Sequence, residues 1–110
     1  MKQGEIWYAS LNPIKGSEQA GYRPVVILSG NLMNTYLKVV IVCPLTTSIK
    51  NYKGNVVVKP NKVNGLKKQS EILVFHIRSV SKDRLIERIG IVTSSELEEM
   101  KKGLGEMLKY

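Results

Sequence analysis

The sequence predicts a mostly-β (α+β) fold, a small curled antiparallel barrel carrying one C-terminal helix. Three observations predict it. Short apolar or alternating runs recur between turn residues as far as Val92, as strands do. After Thr93 the apolar spacing switches to a helical period. And 110 residues with 43% hydrophobic content, but few aromatics, suffice for one core of Val, Ile and Leu without disulfide or metal staples. Residues 1–110 read as a single domain, with no repeat, low-complexity tract or linker.

The elements follow in order. Glu5 to Leu11 alternates, with Ile6 and Tyr8 on one face and Trp7, Ala9 and Leu11 on the other. Asn12 to Tyr22 carries Pro13, Gly16 and Gly21 and reads as a long exposed loop. Val25 to Leu28 and Val39 to Val42 are continuous apolar runs, as expected of strands buried on both faces. Pro44 is expected to break the second of these at Cys43. Asn55 to Lys59 is a shorter strand among lysines, and Ile72 to Val80 another. Ile86 to Val92 is the last, preceded by a single turn around Ser81 to Arg84. Thr93 with Glu96, and Ser95 with Glu98, both have capping-box spacing. Leu97, Met100, Leu104, Met107 and Leu108 then form a helical stripe. Gly103 and Gly105 weaken it by about 1 kcal/mol each, so the helix needs packing, on its own sheet or on a partner subunit.

Composition narrows the function. Lys and Arg total 17 against 9 Asp and Glu, a formal net charge of +8, which favours a polyanionic partner. The opening MKQGEIWYAS lacks the apolar core of a secretory signal, and no apolar run is long enough to span a bilayer. A cytoplasmic protein without membrane association is expected. One cysteine cannot make an intrachain bridge, and Cys43 with the lone His76 cannot build a metal site. The sequence contains no HExxH, P-loop or GxGxxG motif, so zinc protease, NTPase and dinucleotide readings have no support.

For nucleophilic chemistry, Cys43 lies inside the apolar run VVIVCPL and reads as a buried, inert thiol. His76, in VFHIR, is read on a strand as a structural or rim residue. A two-histidine acid–base pair is excluded within one chain. What remains is an arginine and a set of hydroxyls. Arg23 emerges where the loop Gly16-Ser17-Glu18-Gln19-Ala20-Gly21 meets a rigid strand, with Pro24 biasing it to extended backbone. Thr46-Thr47-Ser48 follow Pro44. An arginine beside hydroxyls suits a phosphate, because its planar fork matches phosphate oxygens. The alternative is an arginine paired with Glu18 and threonines that merely satisfy a turn.

The stretch GEIWYASLNPIKGSEQAGYRPVVILS resembles the opening of the MazF/PemK (Kid) toxins, which combine a G-[DE]-[IV] strand start, a G-[SH]-E-Q-x-G loop and an R-P before an apolar strand. VVIVCPLTTSI resembles the family's strand ending in an apolar residue and Thr, and IRSVSKDRL its I-R-[ST]-[IVL]-D-x-x-R-L segment. The resemblance spans nearly the whole chain, with Asn51 to Lys68 the least distinctive part.

The resemblance implies the SH3-like CcdB/PemK barrel, a homodimer, neutralisation by an acidic MazE-like antitoxin, and sequence-specific cleavage of single-stranded RNA, chiefly mRNA, with neither metal nor cofactor. Family catalytic roles fall on Arg23 and Thr46. Glu18 and Gln19 match the loop that covers the site. Ser17, Glu18, Gln19, Tyr22, Thr47 and His76 are the expected RNA-binding residues. Phe75-His76 stands where many relatives carry an acid followed by Gln, so the acid's role does not transfer. Ser81 replaces the usual Asp. RNA brings its own nucleophile, the 2′-OH. Arg23 is too basic to accept its proton at neutral pH, leaving Glu18, His76 and water as candidate acceptors. Two alternatives stay open: a CcdB-like gyrase-poisoning toxin without nuclease activity, and a non-catalytic nucleic-acid-binding barrel.

Overall fold

In the computed structural model, which describes residues 1–11 and 22–110, the strands are β1 (Glu5–Ser10), β2 (Tyr22–Ile27), β3 (Val39–Thr46), β4 (Val56–Val58), β5 (Ser70–Ile72), β6 (Arg78–Ser81) and β7 (Leu85–Ile91). Helix α1 is Asn31–Tyr36 and α2 is Ser94–Lys109. All pairings are antiparallel, in the order β4-β5-β3-β2-β1-β7, with β6 also on β3. The sheet curls until the Ile91 N–H reaches the Val63 carbonyl in the β4–β5 connection, at 3.1 Å. The loop expected over Asn12 to Tyr22 lies outside the described residues except for Tyr22, which opens β2.

Both faces of the central strands are covered, as the continuous apolar runs require. One face packs Ile6, Val26, Cys43, Leu45, Ile72 and Met100 into the barrel interior; the other packs Ala9, Val25, Ile27, Val40, Val42 and Val80. The expected alternation of the first strand holds across its two faces: Ile6 packs into the first of these clusters, and Ala9 into the second with Trp7 and Leu11 against it, while Trp7 and Tyr8 are only half-buried beside register shifts at Ile6/Trp7 and Tyr8/Ala9.

Two expectations are corrected, and one element is new. β3 runs through Pro44 to Thr46. β6 pairs with its first half through Val42 and β5 with its end from Leu45, so Pro44 sits at the gap between the two partners, where no N–H is required. The strand expected over Ile72 to Val80 is broken. A 3₁₀ turn at Val74–His76 separates β5 from β6, so His76 is on a turn rather than on a strand. And α1 arose without any sequence expectation. Its Asn34 is buried, donating to the Ser29 carbonyl at 2.8 Å while accepting from the Ser29 hydroxyl.

At the C-terminus the Thr93–Glu96 capping box forms in both directions, at 3.0 and 2.8 Å. Met100 is fully buried, and Leu97, Leu104 and Met107 pack around the core, whereas Leu108 is exposed. Gly103 has a reason to be glycine: a Cβ there would lie 2.1 Å from the Gly54 carbonyl oxygen, and Gly54 itself holds φ +95. Gly105 faces open space. Gly105→Ala should therefore stabilise by about 0.5–1 kcal/mol. Gly103→Ala should destabilise by roughly 1–3 kcal/mol, overpacking outweighing the better helix former. Urea denaturation of the two variants checks this; a Gly103→Ala protein as stable as Gly105→Ala would mean that helix and loop do not touch.

Candidate active site

Arg23 and Thr46 belong to neighbouring strands. β2 and β3 pair Val25 with Pro44, Val26 with Cys43 and Ile27 with Val42. Continuing this register by two residues sets Arg23 across from Thr46. The Leu28 N–H donates to the Ile41 carbonyl at 2.8 Å. That fixes alternate pairs as hydrogen-bonded, so that by the same register the Arg23/Thr46 level is a non-bonded one, the kind at which side chains of paired strands stand closest. Pro24 has no N–H to give at the level between, and the pairing ends at Val25. On the other edge of β2, Arg23 pairs with Ala9.

Arg23 is exposed and Thr46 half-buried. Among the described residues, the ion pairs are Arg88 with Glu5 at 3.1 Å and Lys101 with Glu98 at 3.3 Å; neither involves Arg23. The Thr46 Oγ1 accepts the Ser48 N–H at 3.1 Å, which leaves its own proton to donate. Thr47 and Tyr22 are exposed beside the same strand ends, Tyr22 at 61%. Ser17, Glu18 and Gln19 lie outside the described residues. His76 is exposed and stands edge-on to Phe75, ring centroids 4.4 Å apart, with Phe75 in turn edge-on to Tyr52 at 6.0 Å. Arg23 thus stands at the start of β2, and Thr46 and Thr47 at and just beyond the end of the neighbouring β3, while His76 belongs to an aromatic group on the turn between β5 and β6.

Cys43 is buried as expected, and burial pushes its thiol up to about 12, so it is not a nucleophile. The sequence reading passed over Glu71. It is fully buried and pairs with Thr46 across β3–β5. Burial pushes its carboxyl up, but hydrogen bonds from the Asn55 amide and the Asn51, Lys50 and Tyr52 N–H groups outweigh that and hold it below the usual carboxylate range. A lone acid leading the apolar run Ile72-Leu73-Val74 was the available signal.

The model of the PemK-like, MazF-like toxins of type II toxin–antitoxin systems matches residues 2–108. The chain belongs to this family. The family's endoribonuclease MazF from Staphylococcus saprophyticus subsp. saprophyticus is 36% identical over 102 residues, covering 91% of this chain and 84% of that protein. Endoribonuclease MazF of Staphylococcus epidermidis is 36% identical over 106 residues, covering 94% and 88%. Among solved members, MazF (Form-I) from Deinococcus radiodurans superposes with a TM-score of 0.81 at 26% identity, covering 100% of this chain and 97% of that one. A MazE–MazF structure (Form-II) from the same organism gives 0.83 at 26% identity, covering 99% and 96%. The expected PemK-type architecture, an antiparallel sheet of seven strands with a C-terminal helix, is therefore the family's own.

Proposed function

We propose that this chain is a toxin endoribonuclease that cuts single-stranded RNA at a short sequence and is neutralised by an acidic antitoxin. The observation that carries the reading is an exposed arginine and a threonine at neighbouring strand ends, which the β2–β3 register extended by two residues sets across from each other, in a chain 36% identical to MazF endoribonucleases. The 2′-oxygen attacks the adjacent phosphorus, the bond from phosphorus to the 5′-oxygen breaks, and a 2′,3′-cyclic phosphate and a 5′-OH result. Arg23 stabilises the anionic phosphorane, as preorganised charge aimed at developing charge. Thr46 donates its hydroxyl proton to a phosphate oxygen. The 2′-OH proton passes to Glu18, His76 or water, and the departing 5′-oxygen takes one up. Bases on either side are read unstacked, and the exposed Tyr22 ring supports stacking of one of them.

No metal is needed in this scheme. Among the described residues no three His, Cys, Asp or Glu side chains converge. A net charge of +8 suits both RNA and an acidic antitoxin segment that folds on binding. The MazE–MazF relatives support such a partner. A homodimer and a cytoplasmic location belong to the same reading; among the described residues no helix is long and apolar enough to cross a membrane.

The test is digestion of a long single-stranded RNA in excess EDTA, mapped by primer extension. Cuts are expected at a restricted set of sequences, with 5′-OH ends. Activity lost in EDTA and restored by Mg²⁺ would overturn metal independence, and intact RNA would overturn the function.

A further inference from the structure

Burying an ionised carboxylate is costly unless each lone pair finds a donor. The Glu71 carboxylate faces no cation among the described residues and is instead filled with amides. Its Oε1 accepts the Lys50 and Asn51 N–H groups at 2.7 and 2.8 Å; its Oε2 accepts the Tyr52 N–H at 3.1 Å and the Asn55 Nδ2 at 2.9 Å. Asn51 holds φ 55, the left-handed backbone that Asn tolerates best after Gly. Successive N–H groups in such a turn converge on an anion, and here the anion is the protein's own side chain.

Placement gives this arrangement its consequence. The clamped segment begins four residues after Thr46, and Glu71 is itself the residue opposite Thr46 in the sheet. The clamp reaches further through Asn55, whose Oδ1 accepts the Val74 N–H at 2.9 Å and so fixes the start of the Phe75-His76 turn. On its outer side the same segment rests on α2 through the Gly54–Gly103 approach. A buried ionic group can often be exchanged for an apolar one of equal volume without loss of stability. What an apolar residue here would not do is hold three consecutive backbone amides in one conformation.

Resting on the endoribonuclease reading, we propose that Glu71 is a positioning residue: its carboxylate fixes the segment after Thr46 and so keeps the Thr46 hydroxyl aimed at the scissile phosphate. Glu71 does not touch RNA.

The experiment compares wild type, Glu71→Ala and Asn55→Ala on a short RNA, with hydrogen exchange read over Lys50–Tyr52. For Glu71→Ala, kcat should fall by about tenfold to 10²-fold, the scale that a misplacement of roughly 1 Å produces. KM should stay within about threefold, since substrate contacts remain. Exchange at Lys50–Tyr52 should accelerate. Formate, entering the vacated amide cradle, should recover kcat and slow that exchange, whereas chloride at equal ionic strength should not. Asn55→Ala, losing one donor and the Val74 link, should show a smaller fall of the same kind, and it decides the matter if Glu71→Ala does not fold. An unchanged kcat, a loss confined to KM, or a kcat loss that formate leaves untouched overturns the proposal. A wild type that cleaves no RNA sinks the endoribonuclease reading and this one with it. A cleaving wild type beside an equally active Glu71→Ala sinks this one alone.

Discussion

Replacing Arg23 with alanine is expected to lower the rate of RNA cleavage by roughly 10²–10³, the cost of removing one main donor to a developing oxyanion. The fold should not change. Arg23 is exposed at the open end of β2, and its strand partnership with Ala9 runs through the backbone. The melting temperature and the mass in solution should therefore match wild type. Arg23→Lys should rescue poorly, because an ammonium is a point charge without the fork that spans two phosphate oxygens. Thr46→Ala should cost less than Arg23→Ala, since a neutral hydroxyl contributes a weaker hydrogen bond than a charged donor. Single-turnover cleavage, with the enzyme in excess of RNA and at a saturating concentration, separates the chemical step from affinity. An Arg23→Ala protein cleaving at the wild-type rate would refute the assigned role.

The placement of Arg23 and Thr46 at neighbouring strand ends shows how far the sequence alone reaches. Each residue was legible from its neighbours: an arginine pinned by Pro24 at a loop-to-strand boundary, a hydroxyl run after an apolar strand. Their adjacency was not, because it depends on the β2–β3 register, which no spacing along the chain encodes. Pro44 misled for a related reason. A proline argues against a central strand only if a neighbour needs its N–H, and here the partner on that edge changes from β6 to β5 at that point. The stretch Ile72 to Val80, apolar through Phe75 and then mixed, hid the Val74–His76 turn, because the turn begins inside an apolar run that has no period with which to mark a break. Helix α1 has only six residues and its cap, Gly30, supplies no side chain, so neither start signal nor periodicity was there to read. The C-terminal helix was the opposite case. Its capping box and stripe are local features, and local features survive folding unchanged.

The sharpest test of the chemistry changes the substrate. Exchanging the single 2′-OH at the cut site for hydrogen is expected to abolish cleavage, because that oxygen is the nucleophile and nothing in the site replaces it. Cys43 is buried with its thiol raised to about 12, and Thr46 already accepts a hydrogen bond from Ser48. Affinity for the substituted RNA should stay within about twofold, since the phosphate contacts that dominate binding are untouched. The intact complex then serves to measure binding by Arg23→Ala and Glu71→Ala proteins without turnover. Arg23→Ala should weaken it and reduce its salt dependence by about 0.7 in the log–log slope, one phosphate contact on a single strand. Glu71→Ala should leave it nearly unchanged. Cleavage of the deoxy-substituted site at any appreciable rate would mean that water or a protein group attacks the phosphorus, and the transesterification scheme would be abandoned.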